Sequence, residues 1–98
     1  MNSPILKRSI QKAPHVSATF IDGELVVMGK QDNIYYRVNA SGIPIWNLLE
    51  TGIYSVVQVV DFVADYYGVP PTQILADMES FILLMLEKNF FHYADDTP

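Results

Sequence analysis

The sequence predicts an α+β domain: a winged helix-turn-helix in which a three-stranded antiparallel β-meander is followed by three α-helices. Two observations lead to this prediction. Apolar and β-branched residues alternate in the first half of the chain, whereas the second half carries helix-capping residues around apolar positions at helical spacing. A chain of 98 residues fits a single domain, and the meander would form the wing beside a helix-turn-helix pair.

The three strands are predicted from alternation and from one turn signal. Residues 16–21 alternate and are rich in β-branched and aromatic types. Asp22 and Gly23 follow as the two central residues of a type I′ turn, which requires positive φ at both positions. Glu24–Met28 is then the returning strand. Ile34–Val38, with apolar side chains at every second position, is the third strand.

The first two helices are predicted from their ends. The first spans about Ser41–Glu50, because Pro44 is best tolerated in the first turn of a helix. The second begins after Ser55, an N-cap residue that can form a capping box with Gln58 three positions later. Apolar residues at helical spacing follow, and Gly68 ends this helix.

The third helix is expected over Pro71–Asn89 and contains the longest apolar run of the chain, Phe81–Leu86. Six consecutive helical residues point in all directions around the helix axis, so the core of a small domain cannot cover all of them. Leu84 lies on a flank in line with Asp77 and Lys88. This flank is either an ordinary exposed apolar surface or one wall of a partner-binding groove, for which Met and Leu are well suited.

The remaining segments complete the predicted domain organisation. Residues 1–14 are expected to form a flexible N-terminal arm with a short strand at Ile5–Ile10, residues 15–93 the folded domain, and residues 94–98 a solvated tail. Phe90–Tyr93 is suited to a further short strand before that tail.

Composition excludes several classes of protein. The chain has no cysteine, and its longest apolar run is far shorter than the ~20 residues that span a bilayer. We therefore expect a soluble cytoplasmic protein without membrane contact. Residues 50–98 carry eight acidic side chains against one lysine, which disfavours nucleic acid because duplex binding requires Lys and Arg at the phosphates.

Catalytic and metal-binding patterns are also missing from the sequence. His15 and His92 lie near opposite ends of the chain, whereas a zinc site needs three or four clustered ligands. Asp61 and Asp65 share one helical face, and a solvated surface explains this pair better than two catalytic carboxylates do. We expect no enzyme activity and no cofactor.

Tyr35 and Arg37 alternate with the inward-facing positions of the third strand and are therefore expected to point away from the core. Exposed Tyr and Arg are enriched at protein interfaces, although strand propensity alone already favours Tyr.

In their order and spacing, five segments together resemble the PqqD-like family of RiPP recognition elements, small domains that bind leader peptides of ribosomally made natural products. The segments are Asp22–Val27, Tyr35–Asn39, Gly42–Glu50, Tyr67–Val69 and Asp77–Ile82. The resemblance covers residues 15–93. Two positions depart from the family pattern, and both concern helix ends: Pro44 stands where a helix former is usual, and Asn89 where the family often has Gly.

The resemblance implies that a leader peptide adds as a strand to the third β-strand, in a cleft between that strand and the third helix. Strand addition supplies backbone hydrogen bonds, and the cleft binds a few side chains of the leader peptide. The candidate peptide-binding residues carried over to this chain are Asn33, Ile34, Tyr35, Tyr36, Arg37, Val38, Asp77, Phe81, Leu84 and Lys88.

The resemblance also implies partners. The protein would hold the leader of a precursor peptide and deliver it to a separate tailoring enzyme, such as a radical SAM enzyme or the leader peptidase of a lasso-peptide pathway. Nothing in the sequence distinguishes these partners.

Two other functions share the predicted fold. A winged-helix DNA-binding regulator is disfavoured by Asp77, Glu79 and Glu87 on the third helix, where a DNA reader would carry basic or amide side chains. A non-catalytic dimerisation module would use the exposed strand edge for self-pairing, and a homodimer stays open as a state of the peptide-binding protein too.

Overall fold

The computed structural model describes residues 4–29 and 35–94, and within them six strands and three α-helices. In chain order the elements are β1 (Ser9–Lys12), β2 (Val16–Ile21), β3 (Glu24–Gly29), β4 (Tyr35–Val38), α1 (Ile43–Leu49), β5 (Tyr54–Ser55), α2 (Val56–Tyr67), α3 (Pro71–Glu87) and β6 (Phe91–Tyr93). The α+β class with antiparallel strands and three helices agrees with the prediction. The strands do not all precede the helices, because β5 lies between α1 and α2 and β6 follows α3.

The predicted meander is present as an antiparallel sheet in the order β2–β3–β4. Asp22 and Gly23 connect β2 to β3 with φ of 52° and 80°, the two positive values that a type I′ turn requires. Ile21 pairs with Glu24 across this turn, so the turn sets the register of the whole hairpin. The predicted third strand corresponds to β4 from Tyr35 onward, and its first residue, Ile34, lies outside the described part of the chain.

A second sheet, in the order β5–β1–β6, was not predicted. Its central strand β1 comes from the segment expected to be a flexible arm. Within the described part of that segment, Ile5, Ile10 and Ala13 are buried in the core. The Val56 N–H donates to the Arg8 carbonyl at 2.9 Å, and the Ala94 N–H donates to the Ser9 carbonyl at 2.8 Å. Residues 4–14 are therefore part of the folded domain, and the short strand lies at Ser9–Lys12 rather than Ile5–Ile10.

The helix ends follow the local signals closely. The Ser55 hydroxyl accepts a hydrogen bond from the Gln58 N–H, and the Gln58 side chain accepts one from the Ser55 N–H, which confirms the capping box. Gly68 ends α2 in the left-handed conformation at φ 69°. A 3-10 turn over residues 40–42 precedes α1, which places Pro44 in the first turn of that helix.

The core lies between the two sheets and the three helices. The largest side chains buried in it are Trp46 and Phe91, whose rings stack with centroids 5.8 Å apart. Because α1 and β6 supply these two rings, the short strand after α3 helps to hold α1 in place. Ile82 and Met85 bring one face of α3 into the same core. The flank of α3 beside this face lies next to the meander, near β4.

Candidate functional site

The outer edge of β4 is open to a further strand. The strand order places β4 at one side of its sheet, and within residues 4–29 and 35–94 its one strand partner is β3. Ile21 and Glu24 close a two-residue turn and therefore exchange hydrogen bonds with each other. Antiparallel pairing alternates from there, so Leu25 and Val27 turn their backbone groups toward β4.

The partners of Leu25 and Val27 on β4 are Val38 and Tyr36. The backbone N–H and C=O groups of those two residues form hydrogen bonds with β3. The N–H and C=O groups of Tyr35 and Arg37 consequently point to the open edge, and the chain presents two donors and two acceptors there for an incoming backbone.

The side chains of Tyr35 and Arg37 point away from the core, as the alternation predicts. Tyr35 is 63% exposed, and the Arg37 guanidinium forms an exposed ion pair with Glu24 at 3.0 Å. This outer face of the sheet is opposite the face that meets α3. Sequence reasoning grouped these side chains with those of α3 in one site, but the sheet separates them. Only the backbone of Tyr35 and Arg37 borders the space between β4 and α3.

The four predicted helix residues lie along one flank of α3. Asp77, Phe81, Leu84 and Lys88 recur at intervals of three or four residues and therefore form a stripe along the helix. Phe81 is half-buried and meets Phe91 edge-to-face, with ring centroids 6.2 Å apart. Leu84 is half-buried against the core rather than fully exposed, while Asp77 and Lys88 are exposed at the two ends of the stripe.

The inner face of β4 and this stripe approach each other at two places. The Lys88 ammonium lies 5.4 Å from the centroid of the Tyr36 ring, within the range of a cation–π contact. At the other end, Gly42 stands between Val38 and Phe81. We call the space bounded by Tyr36, Val38, Phe81, Leu84 and Lys88 the β4–α3 groove.

Gly42 is a site residue that sequence reasoning placed only at a helix boundary. A Cβ atom at this position would lie 2.7 Å from the Val38 Cγ1 and 2.8 Å from the Phe81 Cζ, closer than carbon atoms pack. The close approach of β4 to α3 therefore depends on the absence of a side chain here. A glycine shortly before Pro44 is typical of an ordinary helix start. No local signal indicates that Gly42 also allows β4 and α3 to approach each other closely.

We expect Gly42→Ala to lower the free energy of unfolding by about 1–3 kcal/mol, because the added methyl group overpacks the end of the groove. Urea denaturation measures this change. Adding Phe81→Leu removes the ring atoms that the methyl group meets and should recover part of the loss. Gly29→Ala is the matched control, since its Cβ would have an ordinary 3.6 Å contact with Phe90. Equal losses for the two alanine variants would contradict this role of Gly42.

A cavity continues the groove past the end of β4. Its volume is about 120 Å³, and its walls include Gly42, Ile45, Met78 and Phe81, with Asp77 also lining it. An apolar cavity of roughly 150 Å³ can hold a molecule the size of benzene, so this one suits a single aliphatic side chain. We call it the end cavity. Its walls come from the 3-10 turn before α1 and from α1, α2 and α3, and so only the folded chain brings them together.

The described residues contain no group of three or more His, Cys, Asp or Glu side chains placed to hold a metal ion. Among the helices described, none is long and apolar enough to cross a membrane. The features that the described part of the chain brings together are an open strand edge, an apolar groove and a charged residue at either end of it.

Comparisons with known proteins agree with this geometry. The family model described as coenzyme PQQ synthesis protein D (PqqD) matches residues 24–90. TbiB1 in complex with the TbiA(beta) leader peptide has a similar structure, with a TM-score of 0.72 at 25% sequence identity over 90% of this chain and 99% of that one. No curated protein matches the chain.

A lasso peptide synthetase B1 complexed with the leader peptide is also similar, with a TM-score of 0.70 over 85% of this chain and 96% of that one. Its sequence identity of 20% shows the shared fold alone. The family model spans more than half of the chain and includes β4, Gly42 and α3, the elements that form the groove. The chain therefore belongs to the PqqD family.

Proposed function

We propose that this protein binds the leader segment of a ribosomally made precursor peptide as an added strand on the open edge of β4. The single observation that carries the proposal is this edge, with the backbone groups of Tyr35 and Arg37 turned outward beside an apolar groove. Strand addition uses such an edge for affinity and adjacent pockets for specificity. The similarity to TbiB1, whose structure contains a leader peptide, supports the same assignment.

The binding residues have two kinds of role in this proposal. The edge of β4 supplies backbone hydrogen bonds, which tolerate many peptide sequences. Two further candidate residues, Asn33 and Ile34, lie outside the described residues. The side chains of the β4–α3 groove and the end cavity select apolar residues of the leader by burying them.

The protein would act without chemistry of its own. We propose that it holds the leader while the rest of the precursor reaches a separate tailoring enzyme, a radical SAM enzyme or a leader peptidase. Tethering raises the effective concentration of the substrate at that enzyme. In this arrangement the β2–β3–β4 sheet is the wing of a winged helix, used here to bind peptide rather than DNA.

The proposal is tested by selecting ligands from a library of random 16-residue peptides displayed on messenger RNA. We expect peptides with dissociation constants from nanomolar to low micromolar, equivalent to about −8 to −12 kcal/mol. Raising sodium chloride from 50 to 500 mM should weaken them only modestly, because apolar burial and backbone pairing are not strongly screened. Fluorescence anisotropy of labelled peptides measures both quantities.

Three results would contradict the proposal. One is the absence of any enriched peptide. Another is a loss of several decades in affinity with salt, which indicates chiefly electrostatic binding of the kind seen with nucleic acid. The third is a change in the mass of a bound peptide after incubation with the protein alone, which would show catalysis.

A further inference from the structure

The two ends of the β4–α3 groove carry opposite charges. Asp77 lies at the end cavity, and Lys88 lies beside Tyr36 at the opposite end. Between them the stripe is apolar, formed by Phe81 and Leu84. A peptide lying along this groove therefore meets an anion at one end, a cation at the other and hydrocarbon between.

From this arrangement we infer that the groove selects peptides by a charge pattern: a basic residue placed at Asp77 and an acidic residue placed at Lys88, about four or six positions apart. This inference rests on the proposed function. It adds a rule about which leader sequences the site accepts and in which register they bind.

The spacing follows from the geometry of the two elements. Asp77 and Lys88 are eleven residues apart, so at ~1.5 Å per residue their Cα atoms lie about 16 Å apart along α3. An extended chain advances ~3.3 Å per residue. A strand in the groove therefore covers the same distance with about five residues. Because every second side chain of a strand faces the same side, the two side chains that meet α3 are about four or six positions apart.

The order of the two charges follows from the direction of β4. Tyr36 lies at the Lys88 end and Val38 at the Gly42 end, so β4 runs from the Lys88 end of the groove toward Asp77. Both strand pairs of this sheet are antiparallel. A peptide added in the same manner runs from Asp77 toward Lys88, and its basic residue therefore precedes its acidic residue in sequence.

The charges at the two ends are available to a ligand. Both side chains are exposed. The cation–π contact between Lys88 and Tyr36 uses the face of the ring and forms no hydrogen bond. The N–H donors of the Lys88 ammonium group can therefore also bind an anionic partner. Arg37, the cation on β4, is paired with Glu24 on the opposite face of the sheet and does not compete with Lys88.

The experiment compares peptide selections from one random 16-residue library against three proteins: the natural sequence, the double variant Asp77→Lys/Lys88→Glu, and the control Asp61→Lys/Lys7→Glu. The two double variants have the same composition and net charge. Asp61 and Lys7 are exposed outside the groove, so the control alters charge without altering the proposed recognition site. Circular dichroism checks that all three proteins are folded.

We expect peptides selected by the natural sequence and by the control to carry a basic residue about four or six positions before an acidic one. Peptides selected by the groove variant should carry these charges in reversed order. A peptide chosen by the natural protein should bind the groove variant about tenfold more weakly in 50 mM salt, because two exposed attractions are lost and two repulsions are gained, each worth slightly less than about a factor of two. Exchanging the two charged residues of the peptide should restore its affinity.

Different failures separate this inference from the proposed function. Peptides that carry the two charges in the same order whichever of the three proteins selected them, or that carry no charge pattern at all, would overturn the charge pattern and leave strand addition intact. A library that yields no ligand for any of the proteins would contradict the proposed function, and the charge pattern with it.

Discussion

Arg37→Pro is expected to lower the affinity for a selected peptide by about 100-fold, or about 2.7 kcal/mol, without unfolding the domain. The proline removes the Arg37 N–H, one of the two donors on the open edge of β4. Its ring also occupies space that the added strand must enter. The lost backbone hydrogen bond alone is worth about 1 kcal/mol. Because this N–H points away from β3, the ladder within the sheet is preserved, and edge strands tolerate proline in this position.

Arg37→Ala is the matched control for this variant. Both changes remove the exposed ion pair with Glu24, which contributes little to stability, but alanine keeps the N–H. Fluorescence anisotropy should therefore show near-normal peptide binding to Arg37→Ala. Normal binding by a folded Arg37→Pro would place the peptide elsewhere on the protein, and equal losses in the two variants would mean that the side chain, not the backbone, makes the contact.

Tyr36→Pro provides a second comparison. The Tyr36 backbone groups face β3, so this proline deletes a hydrogen bond inside the sheet. We expect it to lower the free energy of unfolding, whereas Arg37→Pro should change stability much less. The two prolines differ in effect because backbone groups alternate in direction along β4. The two-residue turn between β2 and β3 determines which residues face β3 and which face the open edge.

The second large effect is expected at Ile10, in the centre of the β5–β1–β6 sheet. Its side chain is 0% exposed, so Ile10→Ala should lower the free energy of unfolding by about 2–5 kcal/mol through lost burial and the cavity that remains. This is a large fraction of the roughly 5–15 kcal/mol that holds a typical domain together. Urea denaturation followed by circular dichroism measures the change.

Lys7→Ala, at an exposed position three residues earlier, controls for changes to the N-terminal segment in general and should alter stability by less than about 0.5 kcal/mol. If Ile10→Ala were no more destabilising than Lys7→Ala, the N-terminal segment would not belong to the core. The expectation of a flexible arm over residues 1–14 would then stand.

Features set by neighbouring residues could be predicted from the sequence. Asp22 and Gly23 adopt positive φ because they accept this conformation more readily than other residues do. The capping box of Ser55 and Gln58 is closed by groups three residues apart, and Gly68 ends α2 for the same reason that Gly23 suits a turn. These interactions are local, so they operate in the same way in many folds.

Short strands were expected at Ile5–Ile10 and Phe90–Tyr93, and β6 confirms the second of them, but the sheet that joins β1, β5 and β6 could not be predicted in this manner. The strands β1, β5 and β6 have four, two and three residues, too few for a periodic pattern to stand out. They come from residues near 10, 54 and 92, and β1 is central only because the other two strands are brought to it. Nothing within residues 9–12 indicates that burial.

The candidate site also combines features that the local sequence predicts with features that only the tertiary structure sets. From the sequence alone, the alternation of β4 turned Tyr35 and Arg37 away from the core, and helical spacing placed Asp77, Phe81, Leu84 and Lys88 on one stripe. Tertiary structure decided that this stripe faces the inner side of β4, where Tyr36 rather than Tyr35 meets Lys88. Gly42 and the end cavity were also decided there, because their contacts join residues from separate elements whose distances no local pattern contains.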